Sequence, residues 1–444
     1  MQWAATKSLS SLERCLLYVF FFLVLPILGG IVEMRSAFLL RRMGDLDCFL
    51  RAGWAVRNGE DLYAVKSDND WHYNYPPLYA ILMTPLADPP RGMDKDGYLP
   101  YWASVGVCFL INVLSLFLGV HALASALEER TRLGEQPRFC RRWWALRLLP
   151  IAVCFLPIGH TLVRGQVNII ILASLCFALA GWIRGNNFRA GLWLALAICI
   201  KVIPAFLLVY PLWKRDVKAL TGCAVGCVIG LAVIPLVTFG PEQTLTHYQT
   251  YGRVFFGPLL KLNTDESRKD EILGGVNATE SVGVRNAIHN WMHPNVSERP
   301  AEMTLGGKIA YVLLGVAATF VTLWPRVDGA TRIAHVLGGL ILLMAIFSPV
   351  CHSHYLLFCL PIVMGLLAHV WQDQATIHVP WPMTAMCWIF VATMAVAYLP
   401  GLEILKDRCV SLFVALSFWA VPIWQVWRGS AVAVAPAEEL RKAA

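Results

Sequence analysis

Twelve apolar stretches separated by short polar breaks run through this chain, at 15–34, 99–127, 148–163, 166–183, 190–200, 203–213, 219–239, 308–325, 333–351, 355–371, 381–399 and 409–427. That pattern constrains the fold more than any other feature. A bilayer core of ~30 Å needs ~20 apolar residues per helix. Backbone N–H and C=O groups in lipid must bond within their own segment or within a closed barrel, which leaves helices for runs of this length. Composition agrees: 57% of the residues are apolar and only 15% charged. Such a chain cannot cover itself with polar surface in water, which excludes soluble globular, disordered and collagen-like classes. The expected fold is an all-α polytopic membrane protein with about 10–12 transmembrane or re-entrant helices. The runs 190–200 and 203–213 are too short for two crossings, and Pro204 suggests one broken, re-entrant hairpin.

Two long loops, 35–98 and 240–307, interrupt the helices. With the N-terminus inside, the inner segments hold 18 of the 37 Lys and Arg in only 78 residues. Basic residues near helix ends mark the cytoplasmic side, whereas long loops count little. Both termini are therefore expected inside and both long loops outside. No linker or repeat divides the chain, so residues 1–430 read as one membrane domain with a loose tail, 431–444. The net charge of +8 suits loops near anionic lipid and is no argument for nucleic acid. Eleven of the 13 cysteines lie in apolar segments, without metal-site or disulfide spacing. The first apolar run is long enough to span and has no small-residue cleavage site after it.

The first loop begins Gly44-Asp45-Leu46-Asp47-Cys48-Phe49-Leu50-Arg51 and reaches a stop at Asn58-Gly59. Leu46, Phe49, Leu50, Trp54 and Val56 follow helical spacing, which predicts a short amphipathic helix on the membrane surface. Asp45 at its start reads as a helix cap or as a carboxylate placed to work as a base at the water–lipid boundary. These two readings are compatible. Further on, Tyr73-Asn74-Tyr75-Pro76-Pro77-Leu78 holds Tyr75 extended before a short apolar segment, 78–87. Trp71, Tyr73 and Tyr75 fit an interfacial aromatic belt.

The order Asp45, Phe49, Ala52, Gly59, Tyr63 and then Tyr75-Pro76-Pro77-Leu78 resembles the start of glycosyltransferase family 87. Gly165-Gln166-Val167-Asn168 is similar to that family's Gly-Gln-x-Asn turn. Ala190-Gly191 with Lys201-Val202-Ile203-Pro204 resembles its Ala-Gly…Lys-x-x-Pro segment, and Ser348-Pro349-Val350-Cys351-His352-Ser353-His354-Tyr355 its Ser-Pro-x-Ser-Trp-x-His-His segment. The blocks fall in the family's order across most of residues 30–370. His352 stands where the family has Trp, Tyr355 where it has a second His, and Thr279-Glu280-Ser281-Val282 where it has Asn-Gln-Ser-Leu.

The resemblance implies a GT-C-type helical bundle that transfers a sugar from a polyprenyl phosphate to an acceptor hydroxyl, with inversion. Such chemistry needs a base for the acceptor proton and cations at the departing phosphate. By resemblance Asp45 is the base. Asp47 is the second candidate, although helical rotation of ~100° per residue points the two apart. Lys201, inside an apolar run, costs ~2.5–3.5 kcal/mol to insert and so faces a cavity, finds a partner or snorkels. Lys201 reads as a clamp on the donor phosphate, the resemblance assigns His354 to the same group, and Arg164, on the side of the active-site loop, is a third candidate cation for it. Tyr75, Gln166, Asn168, His352 and Arg285 are possible substrate contacts. Interfacial turns and loop packing compete with those roles, at Arg285, His289 and Trp291 above all. His352 and His354 alone are a weak metal signal, and no cofactor is expected.

The implied partners are a polyprenyl-phosphate-linked sugar, a lipid or glycan acceptor and the bilayer, with mannose as the sugar. The implied place is a bacterial plasma membrane with the site on the outer face. The sequons Asn277-Ala278-Thr279 and Asn295-Val296-Ser297 matter only in a secretory compartment. The rival readings are a secondary transporter, which should show matched broken segments in two related halves, and a ligase or polymerase of polyprenyl-linked glycans. No strand–Gly-rich-loop–helix unit for a nucleotide donor is visible.

Overall fold

Each of the twelve apolar runs folds as helix in the computed structural model, which describes residues 3–4, 7–39, 43–135, 137–260, 268, 271, 281–325, 329–372, 374, 376–396, 399 and 401–442. The elements are α1 (Ser11–Ser36), α2 (Gly44–Asn58), α3 (Pro77–Met83), α4 (Tyr101–Glu129), α5 (Arg141–Val153), α6 (Phe155–Arg164), α7 (Asn168–Arg184), α8 (Asn187–Ile200) and α9 (Val209–Lys214). They continue as α10 (Val217–Val228), α11 (Ile234–Leu260), α12 (Val284–Met292), α13 (Leu305–Leu323), α14 (Ala330–Ile346), α15 (Leu360–Trp371), α16 (Trp381–Val396), α17 (Glu403–Asp407) and α18 (Val410–Lys442). Among the described residues six helices are long and apolar enough to cross a membrane, and α5 with α6 makes a seventh span bent by 64°. The other apolar runs form helices of 10–17 residues. The chain is an all-α polytopic membrane protein.

Burial sorts the helices into an inner and an outer set. In α7, α14 and α15 nearly every side chain is buried, as expected for helices that are apolar on all faces. By contrast α1 and α13 expose Leu16, Phe22, Ile27, Leu313 and Val316, the surface that lipid tails would cover. Where α8 meets α10 the backbones touch: a Cβ added at Gly191 would lie 2.0 Å from the Ala219 carbonyl oxygen. Small residues permit that approach in membrane bundles, where dispersion drives association.

The long loops are packed structure. The expected helix is present as α2, but it does not lie on the surface with one polar face open. Leu46 through Ala55 are all buried, because the chain between Gly59 and Asp88 wraps over the polar side. Arg51 is paired there with Asp68 at 2.9 Å and donates to the Asp88 and Lys66 carbonyls. Tyr73, expected in an interfacial belt, is 1% exposed. Its hydroxyl donates to Pro76 O at 2.7 Å and accepts from the Ala80 N–H at 3.0 Å, which seats Pro76-Pro77 at the start of α3. In the second loop, Asn290 on α12 donates to the Asp407 carbonyl, and Arg299 beyond α12 makes a bidentate pair with Asp407 at 2.7 and 3.0 Å. The Asn277 sequon and Thr279-Glu280 lie outside the described residues.

Candidate active site

The turn between α6 and α7 sets the first pair of the site. Gly165 closes α6 in the left-handed region at φ +66°, and a Cβ there would lie 2.4 Å from Leu46 Cβ. Only glycine lets this turn lie so close to α2. The approach brings Arg164 Nε to 2.7 Å from Asp45 Oδ2. Asp45 is not the cap of α2; that position is Met43, with no side-chain cap bond, and Asp45 sits inside the first turn. A carboxylate there is favoured by the helix dipole and by the guanidinium. Asp47 faces the other way. It is fully buried, and its Oδ2 accepts the Asp68 N–H at 2.9 Å, which ties the first loop to α2.

Lys201 stands at a break that the sequence dictates. Pro204 can neither donate an N–H nor tolerate a helical carbonyl four residues before it. The helix α8 therefore ends at Ile200, Lys201 is extended (φ −148°, ψ 128°), and a 3-10 turn follows at Ile203–Leu208. The Lys201 ammonium donates to the Tyr355 hydroxyl at 2.7 Å and to Asn168 Oδ1 at 3.3 Å, and it lies 5.1 Å from the centre of the Tyr75 ring. The snorkelling reading fails, because these partners hold the ammonium inside the bundle.

Asp45, Arg164, Gln166, Tyr75, Lys201, His352 and Tyr355 line one cavity of about 350 Å³. Gln166 lines the cavity with Tyr75, whose hydroxyl pKa is raised by burial and then by Tyr355 and Asp45. That hydroxyl remains a donor at neutral pH. Burial also raises the Cys48 thiol, and the Asp45, Asp47 and Glu271 carboxylates push it the same way, so this wall residue is uncharged. Two groups expected at the substrate stand one layer behind. Asn168 is fully buried and supports Lys201, with no hydrogen bond to its Nδ2 among the described residues. His354 is fully buried against the His160, His352 and Tyr355 rings, and neither of its ring nitrogens has a hydrogen-bond partner among the described residues. Arg285, on α12, does not line the cavity.

The structure adds residues that the sequence reading had not joined to the site. Glu271 comes from the second long loop and reaches the first: its Oε1 lies 2.9 Å from His72 Nδ1, and its Oε2 accepts from Asn74 Nδ2 at 3.0 Å. All three line the cavity beside Trp71. The polar alternation His72-Tyr73-Asn74 before the double proline was a usable signal; Glu271, almost 200 positions away, had none. Among the described residues no three His, Cys, Asp or Glu side chains converge as metal ligands.

With this geometry in view, comparison with known proteins is specific. Residues 73–349 match the sequence profile of glycosyltransferase family 87. Asp45 and the histidines at 352 and 354 fall outside that stretch. A Mycobacterium tuberculosis protein named polyprenol-phosphate-mannose-dependent alpha-(1-2)-phosphatidylinositol mannoside mannosyltransferase is 26% identical over 391 residues, covering 82% of this chain and 80% of the relative. The Mycolicibacterium smegmatis protein of the same name is 27% identical over 199 residues, 42% of each chain. A profile match across more than half the chain, on a helical membrane bundle with a charged internal cavity, makes this protein a member of glycosyltransferase family 87 and a membrane glycosyltransferase.

Proposed function

We propose that the chain transfers a hexose, with mannose the first choice, from a polyprenyl phosphate to a hydroxyl of a glycolipid or glycan at the outer membrane face, with inversion. The donor class and a phosphatidylinositol-mannoside-like acceptor are suggested by the names of the two mycobacterial relatives. The observation that carries the reading is the meeting of Asp45, Arg164 and Lys201 in one cavity.

The bond that breaks joins the sugar C1 to the phosphate oxygen. The acceptor oxygen forms its bond to C1 from the opposite face, and its proton passes to Asp45. Arg164, at 2.7 Å, orients that carboxylate in the cavity. As the C1–O bond opens, negative charge grows on the phosphate, where Lys201 and the lining His352 are placed to receive it. Tyr355 and Asn168 hold the Lys201 ammonium in place before the donor arrives, so little reorganisation is needed.

Sugar transfer from a panel of polyprenyl-phosphate sugars by the purified full chain in lipid nanodiscs tests this. Wild type and Asp47→Asn are expected to transfer, and Asp45→Asn to lose ~10²–10⁴-fold in rate. Full activity of Asp45→Asn would remove Asp45 as the base. Absence of transfer by wild type from every donor, with cell-envelope extract as acceptor, would overturn the enzymatic assignment of the cavity.

A further inference from the structure

The wall of the cavity made by the two long loops has its own chemistry. Trp71 is 50% exposed, and no other ring packs on it among the described residues. Its backbone is fixed, with Ser67 donating to its carbonyl at 2.8 Å and accepting from its N–H at 3.2 Å. Next to it, Asn74 donates to Glu271, while Asn74 Oδ1 is buried with no hydrogen-bond partner among the described residues. A buried acceptor left unpaired is destabilising unless a ligand or water satisfies it. His72 and Asn74 together orient the Glu271 carboxylate at the cavity.

We propose that Trp71, Asn74 and Glu271 form a subsite for a polyhydroxylated ring of the acceptor, a pyranose or a cyclitol. This rests on the reading of the cavity as the transfer site. The indole face takes the C–H face of the ring, and Asn74 Oδ1 and Glu271 accept hydrogen bonds from neighbouring hydroxyls. The donor's own sugar has the same chemistry. The acceptor is favoured because Lys201 and His352, the groups read as facing the donor phosphate, approach the cavity from other elements. In this arrangement Trp71 and Glu271 set which acceptors are used, and Asp45 acts on any hydroxyl that the subsite delivers.

The test uses the full chain in nanodiscs, with octyl α-mannoside as a ring-bearing acceptor and octyl glycerol as one without a ring. Trp71→Ala and Glu271→Gln are expected to raise the KM for octyl α-mannoside at least 10-fold. The KM for the donor and the slow transfer to octyl glycerol should stay within 2-fold, and Trp71→Tyr should restore most of the loss. An unchanged KM for octyl α-mannoside in both variants would overturn the subsite. So would a rise confined to the donor KM, which would hand this wall to the donor sugar. A turnover-free arm separates this result from the transfer reading itself. Radiolabelled octyl α-mannoside, displaced by methyl α-mannoside, should bind wild type and not Trp71→Ala even where no donor is turned over; equal binding would refute the subsite.

Discussion

Lys201 is the residue whose position the sequence makes most explicit. A lysine inside an apolar run must meet a partner or water, and it does so through Tyr355, Asn168 and the cavity. If its ammonium neutralises the departing phosphate, Lys201→Met should lower kcat/KM by ~10²–10³-fold, in the range for removing one pre-oriented group at a developing charge. Lys201→Arg should recover only part of this, since a planar fork does not fit where a compact ammonium bridges a hydroxyl and an amide oxygen. Steady-state rates against donor concentration, with thermal unfolding of each variant as the folding control, decide it; near-wild-type rates for Lys201→Met would leave the lysine a structural tie. The same logic explains what was legible at this scale. Asp45, Arg164, Gln166 and Lys201 each stand out as polar groups beside apolar runs. His354 stood out equally, yet it lies behind His352, because adjacent polar residues of one turn cannot be ranked by depth from their order alone. Glu271 looked like any loop carboxylate, and only folding brings it to His72 and Asn74.

Among the elements, the turn of Gly165 between α6 and α7 has most leverage on the site. It combines a left-handed backbone with contact against α2, and it places Arg164 on Asp45. Gly165→Ala adds a Cβ where both conformation and space forbid it, so a loss on the order of 2–3 kcal/mol is expected. The turn would have to withdraw from Leu46, and transfer should fall more steeply than stability. Gly30→Ala is the matched control, since nothing lies within 4 Å of a Cβ added there in α1. Thermal unfolding and initial rates of the two variants would test the turn; equal behaviour would mean that α2 yields to the methyl group without cost. Helix existence was readable because apolar runs bounded by Gly, Pro and charge leave few alternatives. The depth of α2 was not. Its spacing reads as amphipathic, and the chain that buries its polar side, through Arg51 and Asp68, is invisible to periodicity.

Across the whole molecule, two ends of the bundle carry different charge chemistry. The helix α7 starts at Asn168, beside Lys201, and ends at Arg184, which is bonded to Glu129. Seventeen residues at 1.5 Å each put ~25 Å between these points, close to the thickness of a bilayer core. At the far end Arg138, Arg142 and Arg184 line a second cavity, and Arg147 is paired with Glu128. The N-terminal segment is there too, since Ser8 pairs with Cys140 and Arg141 is bonded to Glu13. So is the end of the last span: Trp427 donates to Val321 O, close to the end of α13, a helix whose start follows the second long loop. Basic residues concentrate on the cytoplasmic side. The prediction is that both termini lie inside and that the cavity opens outside. Alkaline phosphatase joined after Asp94 in the first loop should be active, and green fluorescent protein joined at the C-terminus should be bright. The reversed pattern would put Asp45 and Lys201 on the inner face. An outer-leaflet donor would then be unreachable, whereas rates measured in nanodiscs would not change, because both faces are open there.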